Sequence, residues 1–122
     1  MRKSADLTKL ADHLKLLADP TRLAILDLLM EGVQCNRNLG DRLGLPMNLI
    51  SHHLKLLREV GFVNVERDPL DARWIYYSVN PETLIELRKQ LSAFLDPERI
   101  QPRQALCGPQ FDGVENLRVT SR

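Results

Sequence analysis

Aromatic residues are scarce in this chain: one tryptophan, two tyrosines and three phenylalanines among 122 residues. Leucine, isoleucine and valine must therefore fill the interior, and a hydrophobic fraction of 43% allows one modest core. No apolar run approaches the roughly 18 residues needed to cross a bilayer, which excludes a transmembrane helix. The opening Met1-Arg2-Lys3-Ser4-Ala5-Asp6 is charged and has no apolar stretch behind it, so it does not read as a secretory signal. A cytoplasmic protein without a membrane partner is expected. Charge of one sign is also missing: the net value is +1, so the total gives no hint of a polyanionic partner. What counts for such a partner is the charge of the face that meets it, and a dimer would present two such faces. Cysteine occurs only at Cys35 and Cys107, in neither a CxxC nor a zinc-finger spacing. In a reducing cytosol a permanent disulfide is not expected, so these thiols are either inert or part of a sensing chemistry. The chain also lacks a nucleophile with a base at workable spacing, a glycine-rich phosphate loop and a paired acid set, which argues against an enzyme. There are no internal repeats.

The most informative stretch that is present runs from Leu39 to Leu57. It reads as two short helices joined by a tight turn at Gly44-Leu45-Pro46. The second helix buries Ile50, Leu54 and Leu57, spaced i, i+4, i+7. Its other face carries Asn48, Ser51, His52, Lys55 and Arg58. Such a face can be an ordinary solvated surface. It can also enter a DNA major groove, where Asn and Ser meet base edges and Lys and Arg meet bases or phosphates. The second reading is the helix-turn-helix arrangement. Adjacent histidines at 52 and 53 suggest a metal, but neighbours on one helix point about 100° apart and share a small ion poorly. His52 is placed toward DNA and His53 beside the core.

The flanking sequence supplies the rest of a fold. A helix is predicted over about 5–17, with Leu7, Leu10, Leu14, Leu16 and Leu17 apolar. Asp19 suits an N-cap and Pro20 the first helical position of a second helix, which runs to about Met30 and ends at Gly32. Helices over 36–43 and 47–60 form the helix-turn-helix, the latter closed by Gly61. Phe62–Arg67 and Arg73–Val79 read as two strands around a turn at Asp68-Pro69-Leu70-Asp71-Ala72. A final helix over about 81–95, started by Asn80-Pro81-Glu82, carries Leu84, Leu87, Leu91 and Phe94 on one stripe. That stripe can lie over its own domain or pair with the first helix and with a second copy of both. The fold class is mainly α with a small β-hairpin, in the order α-α-α-α-β-β-α: a winged helix-turn-helix. Residues 1–95 form the DNA-binding and dimerisation domain. Residues 96–122, punctuated by Pro97, Pro102, Gly108, Pro109 and Gly113, form an extended or partly disordered tail containing Cys107.

This order resembles the arsenical-repressor (ArsR/SmtB) family of bacterial winged-helix regulators over roughly residues 7–95. Leu17-Ala18-Asp19-Pro20-Thr21-Arg22-Leu23-Ala24-Ile25-Leu26 is similar to the family's opening signature. Ile50-Ser51-His52-His53-Leu54-Lys55-Leu56-Leu57 is similar to its recognition helix. Gly61-Phe62-Val63 resembles the entry to the wing and Trp74-Ile75-Tyr76-Tyr77 its second strand. The resemblance implies a homodimeric repressor, dimerising through the first and last helices, that sits on a double-stranded operator until an inducer binds. It places Met47, Asn48, Ser51 and His52 near base edges and Lys55, Arg58, Arg67 and Arg73 near phosphates. The wing-tip acids Asp68 and Asp71 would repel phosphate. A wing tip of that charge and the low net charge also suit an alternative, a winged-helix protein-interaction module.

The family's arsenic sensors carry a Cys-x-Cys where this chain has Cys35-Asn36-Arg37, so only the first thiol is present. No cofactor is required for DNA binding on this reading. The implied inducer is arsenite, antimonite or a soft metal ion, which prefer thiolate ligands, and Cys107 is the other thiol available. The family's alternative zinc site on the last helix has no counterpart, because that helix has Glu82 and Glu86 but no histidine, and His13 stands isolated in the first helix. Cys35 just before a helix, near Arg37, also suits a thiol-redox or persulfide-sensing repressor acting with Cys107. A third reading makes Cys35 a small buried packing residue.

Overall fold

The computed structural model describes residues 4–102. The elements are α1 (Ser4–Leu17), α2 (Pro20–Leu29), β1 (Gln34–Cys35), α3 (Asn36–Leu43), α4 (Met47–Val60), β2 (Val63–Arg67), β3 (Ile75–Val79) and α5 (Pro81–Phe94), followed by a 3₁₀ turn at Pro97–Arg99. Five helices and an antiparallel wing are therefore present in the order predicted. The sequence reading missed β1, which pairs with β3 so that the sheet has three strands in the order β1-β3-β2. Two residues are too few to show a period, and only the partner strand makes them β.

Local chemistry sets most of the boundaries. Asp19 caps α2: its Oδ1 accepts from the Arg22 N–H at 3.0 Å, and Pro20 follows at the first helical position. That bond holds the Asp19 carboxyl below the usual range. Helix α2 stops at Leu29, with Met30 as its C-cap and Gly32 two residues further on in the turn. Gly44 and Gly61 close α3 and α4 in the left-handed region, at φ 67° and 96°. Asn80 starts α5 by accepting from the Glu82 N–H through Oδ1, while its Nδ2 donates to the Gly61 carbonyl. Thr83 donates to the same carbonyl. Gly61→Ala is therefore expected to cost about 1–2 kcal/mol, the penalty of a Cβ in the left-handed region, in a urea melt of the whole chain. An unchanged midpoint would show that the α4–β2 junction tolerates another conformation.

The core gathers Leu10, Ile25, Leu26, Leu29, Leu39, Ile50, Leu54, Leu57, Phe62, Val63, Tyr77 and Leu87. All of them come from the periodic positions of helices or from the wing. His13 is buried, with its ring edge-on to Phe62 at 5.5 Å between centroids. Helix α2 is less enclosed than its composition suggests, because Leu23 and Met30 remain exposed on one side.

By internal contacts the chain divides after Leu91. In the second unit Asp96 caps the 3₁₀ turn by accepting from the Glu98 N–H, and the Arg99 guanidinium lies over the Phe94 ring while donating to the Phe94 carbonyl. Cys107 and the rest of the predicted tail beyond Pro102 lie outside the described residues.

Candidate nucleic-acid interface and thiol site

Helix α4 is built to show one face. Ile50, His53, Leu54 and Leu57 are buried, whereas Met47, Asn48, Ser51, His52, Lys55 and Arg58 are exposed. The spacing that predicted the core side thus holds, with His53 added to it. The preceding helix approaches closely because Gly40 has no side chain: a Cβ there would stand 3.1 Å from the Leu45 carbonyl oxygen. Asn36 of α3 reaches across to Ser51, with Nδ2 3.4 Å from Oγ. Five of these six exposed side chains are polar or cationic and Met47 is apolar, on an α-helix of the kind a major groove admits.

The wing differs from its sequence reading. Asp68 and Asp71 were expected as bare anions that would repel phosphate. Both are instead braces of the turn. Asp68 Oδ1 accepts from the N–H groups of Leu70 and Asp71, and its Oδ2 accepts from the Tyr76 hydroxyl at 3.3 Å. Partial burial, together with that carboxylate, pushes the Tyr76 phenol up. Asp71 accepts two bonds from the Arg73 guanidinium, at 3.0 and 2.8 Å, and one from the Arg73 N–H. The pair holds the Asp71 carboxyl down and raises Arg73. Arg67 donates to the Ala72 carbonyl at 2.9 Å. Two-residue spacing lets an Asp side chain bond its own turn, so the acids that looked repulsive are largely consumed locally. At the tip, Leu70 is 96% exposed.

Cys35 is free and buried at the junction of three elements. It is the N-cap of α3, with no side-chain capping bond. Its backbone pairs with Tyr76 of β3. Its side chain lines an open cleft of about 370 Å³ together with Asn36, Arg37, Met47, Arg73, Trp74 and Ile75. Cys35 thus shares a cleft with Met47 and Arg73, two of the residues predicted to face DNA, while Ser51, His52, Lys55 and Arg58 lie further along α4. Among the described residues no cluster of three or more His, Cys, Asp or Glu could hold a metal ion. Sequence reasoning missed a partly buried polar contact as well. Arg22 of α2 donates through Nη1 to His53 Nδ1 of α4 at 3.1 Å. The two residues are 31 positions apart, and no local spacing connects them.

The chain is similar to known transcriptional regulators. A sequence profile described as "Bacterial regulatory protein, arsR family" matches residues 19–65. The chain is 37% identical over 82 residues to an uncharacterized HTH-type transcriptional regulator of Methanocaldococcus jannaschii, covering 66% of this chain and 89% of that protein. It is 41% identical over 68 residues to the arsenical resistance operon repressor of Escherichia coli, covering 55% and 56%. A solved structure of a possible transcriptional regulator for arsenical resistance superposes with a TM-score of 0.63 at 34% identity, covering 71% of this chain and 88% of the other.

Proposed function

This chain belongs to the ArsR family of winged-helix DNA-binding regulators and is a transcriptional repressor rather than an enzyme, and from that premise we propose that it leaves its operator when an inducer reacts with the thiol of Cys35. On this reading Met47, Asn48, Ser51 and His52 meet base edges, and Lys55, Arg58, Arg67 and Arg73 meet phosphates. The working unit is a cytoplasmic homodimer joined through α1 and α5 of residues 1–95, and its two-fold axis fixes the half-site spacing. Leu7 and Leu14, seven residues apart on α1, and Ile85 on α5 are exposed apolar side chains that such an interface would cover.

The observation that carries the inducer proposal is the position of the thiol. Cys35 caps α3 of the helix-turn-helix and pairs with β3 of the wing, so an adduct in its cleft presses on both DNA-facing elements at once. The inducer then favours a geometry in which α4 and the wing no longer fit the groove together, and operator occupancy falls by population shift. The chemical class is a thiol-binding species. Arsenite, antimonite or a soft metal ion would require more donors than Cys35 alone, and Cys107 is the other thiol in the chain. The second reading is an oxidant or reactive sulfur species that modifies Cys35 or links it to Cys107.

Titration of the reduced protein on operator DNA with arsenite, with a soft metal ion and with a low-molecular-weight persulfide separates the two. Cys35→Ser is expected to retain operator binding within about threefold, since a buried Cys-to-Ser change leaves the exposed face of α4 alone, and to abolish release by every one of these agents. Release that persists in Cys35→Ser would overturn the proposal. Cys107→Ser should weaken metalloid release and disulfide formation. If it changes neither, the tail thiol has no part in sensing.

A further inference from the structure

Arg22 makes three bonds to three different parts of the fold. Its backbone N–H is taken by Asp19 at the start of α2. Its Nε donates to the Leu16 carbonyl in the last turn of α1. Its Nη1 meets His53 Nδ1 on α4 at 3.1 Å. The α1–α2 elbow is thereby tied to the recognition helix by one side chain. A guanidinium only donates, so His53 Nδ1 must accept, and the ring proton sits on Nε2. A protonated ring carries N–H on both nitrogens and has no lone pair for Arg22. Proton uptake would therefore break the bond and leave two cations in contact.

We propose that Arg22 is a positioning residue for operator recognition: it sets the pitch of α4 by holding neutral His53, and protonation of His53 releases the helix and weakens specific DNA binding. The lever arm is short. His53 is adjacent to His52 on the exposed face, the two rings lie edge-to-face at 5.5 Å, and Ser51 is two residues away. Elements packed against α4 include α1, α2, α3 and β2. The charged groups that act on His53 are Asp19 before α2, Arg22 of α2 and His52 of α4 itself. Burial lowers the His53 pKa, Asp19 opposes that, and Arg22 and His52 add to it. The sign follows. A lowered native value means that the ring binds its proton less readily when folded, so the neutral, tethered form is complete above the ordinary histidine value of about 6.5 and is lost only as pH falls through the lower folded value.

The inference rests on α4 being the helix that enters the groove, and the test keeps the two apart. Fluorescence anisotropy of the full chain is measured on DNA from upstream of its own gene and on a scrambled duplex, between about pH 7.5 and 5.5, a window that brackets histidine titration. Circular dichroism is recorded at each point to confirm the fold. Taking the ratio of the two duplexes cancels sequence-independent changes in phosphate affinity with pH. The parent is expected to lose about tenfold or more of this ratio across the window, the scale of one bond to a charged group. His53→Gln keeps an acceptor but cannot titrate, and should bind like the parent at the upper pH and stay flat. Arg22→Met should start about tenfold low and also stay flat. A His53→Gln protein that repeats the parent's fall would overturn the proposal, as would an Arg22→Met protein with parental affinity. If the parent itself fails to prefer the upstream DNA, the groove reading falls, and the tether proposal with it.

Discussion

Replacing Ser51 and His52 together by alanine is expected to lower operator affinity by about 2–6 kcal/mol, the sum of two base contacts worth about 1–3 kcal/mol each. Affinity for a scrambled duplex should change little, because Lys55, Arg58 and the wing arginines, the proposed phosphate contacts, are untouched. Both side chains are exposed, and the one hydrogen bond lost is the 3.4 Å contact between Asn36 and Ser51. The thermal midpoint should therefore stay within the range of ordinary surface substitutions. Anisotropy on the two duplexes, paired with a melt, checks both halves. Equal losses on specific and scrambled DNA would mean that these residues serve the backbone and not the bases. No loss on either would favour a protein-interaction module, although the wing no longer supports that alternative strongly. Its acids were the main sequence argument for it, and they are bound up in their own turn.

Phe62→Ala should be the most damaging single change to the fold. The ring is fully buried, packs against His13 and belongs to the core cluster that joins the helices to the wing. Truncating such a ring costs about 3–5 kcal/mol through lost transfer energy and an unfilled cavity. A domain of this size has about 5–15 kcal/mol in all, so roughly a fifth or more of it disappears. The backbone here also matters: the Phe62 N–H donates to Leu57 and its carbonyl accepts from Asn80, so loosening at this point reaches both ends of the wing. The comparison is Leu23→Ala, at a 52% exposed position, expected within about 0.5 kcal/mol of the parent. Denaturant melts of the three proteins decide the matter. Similar midpoints for all of them would mean that the core is not centred on Phe62.

These two predictions draw on different sources. Ser51 and His52 were legible in the sequence because a helix turns every 3.6 residues, and burial of Ile50, Leu54 and Leu57 forces their neighbours outward. Asp19 before Pro20, Gly44, Gly61 and Asn80 before Pro81 were legible for a similar reason: each cap or turn is a bond or a dihedral within a few residues. The helices over 36–43 and 47–60 were therefore placed at their observed limits. The wing was found by its β-branched and aromatic residues, but the bonds its charged groups make were not. A residue's formal charge is printed in the sequence, whereas the three N–H groups that a folded turn aims at Asp68 and Asp71 are not.

By itself, then, the sequence determined the order of helices and wing and the exposed face of α4, since these follow from periodicity and short-range capping, while the family followed from the resemblance of its motifs. Tertiary structure alone decided what the isolated polar residues do. It paired Cys35 with Tyr76 and set it in one cleft with Met47 and Arg73, packed His13 on Phe62 and joined Arg22 to His53. Each of these depends on a partner that local spacing does not reveal. A buried polar atom must find a partner wherever the packed chain brings one, and periodicity cannot report where that is.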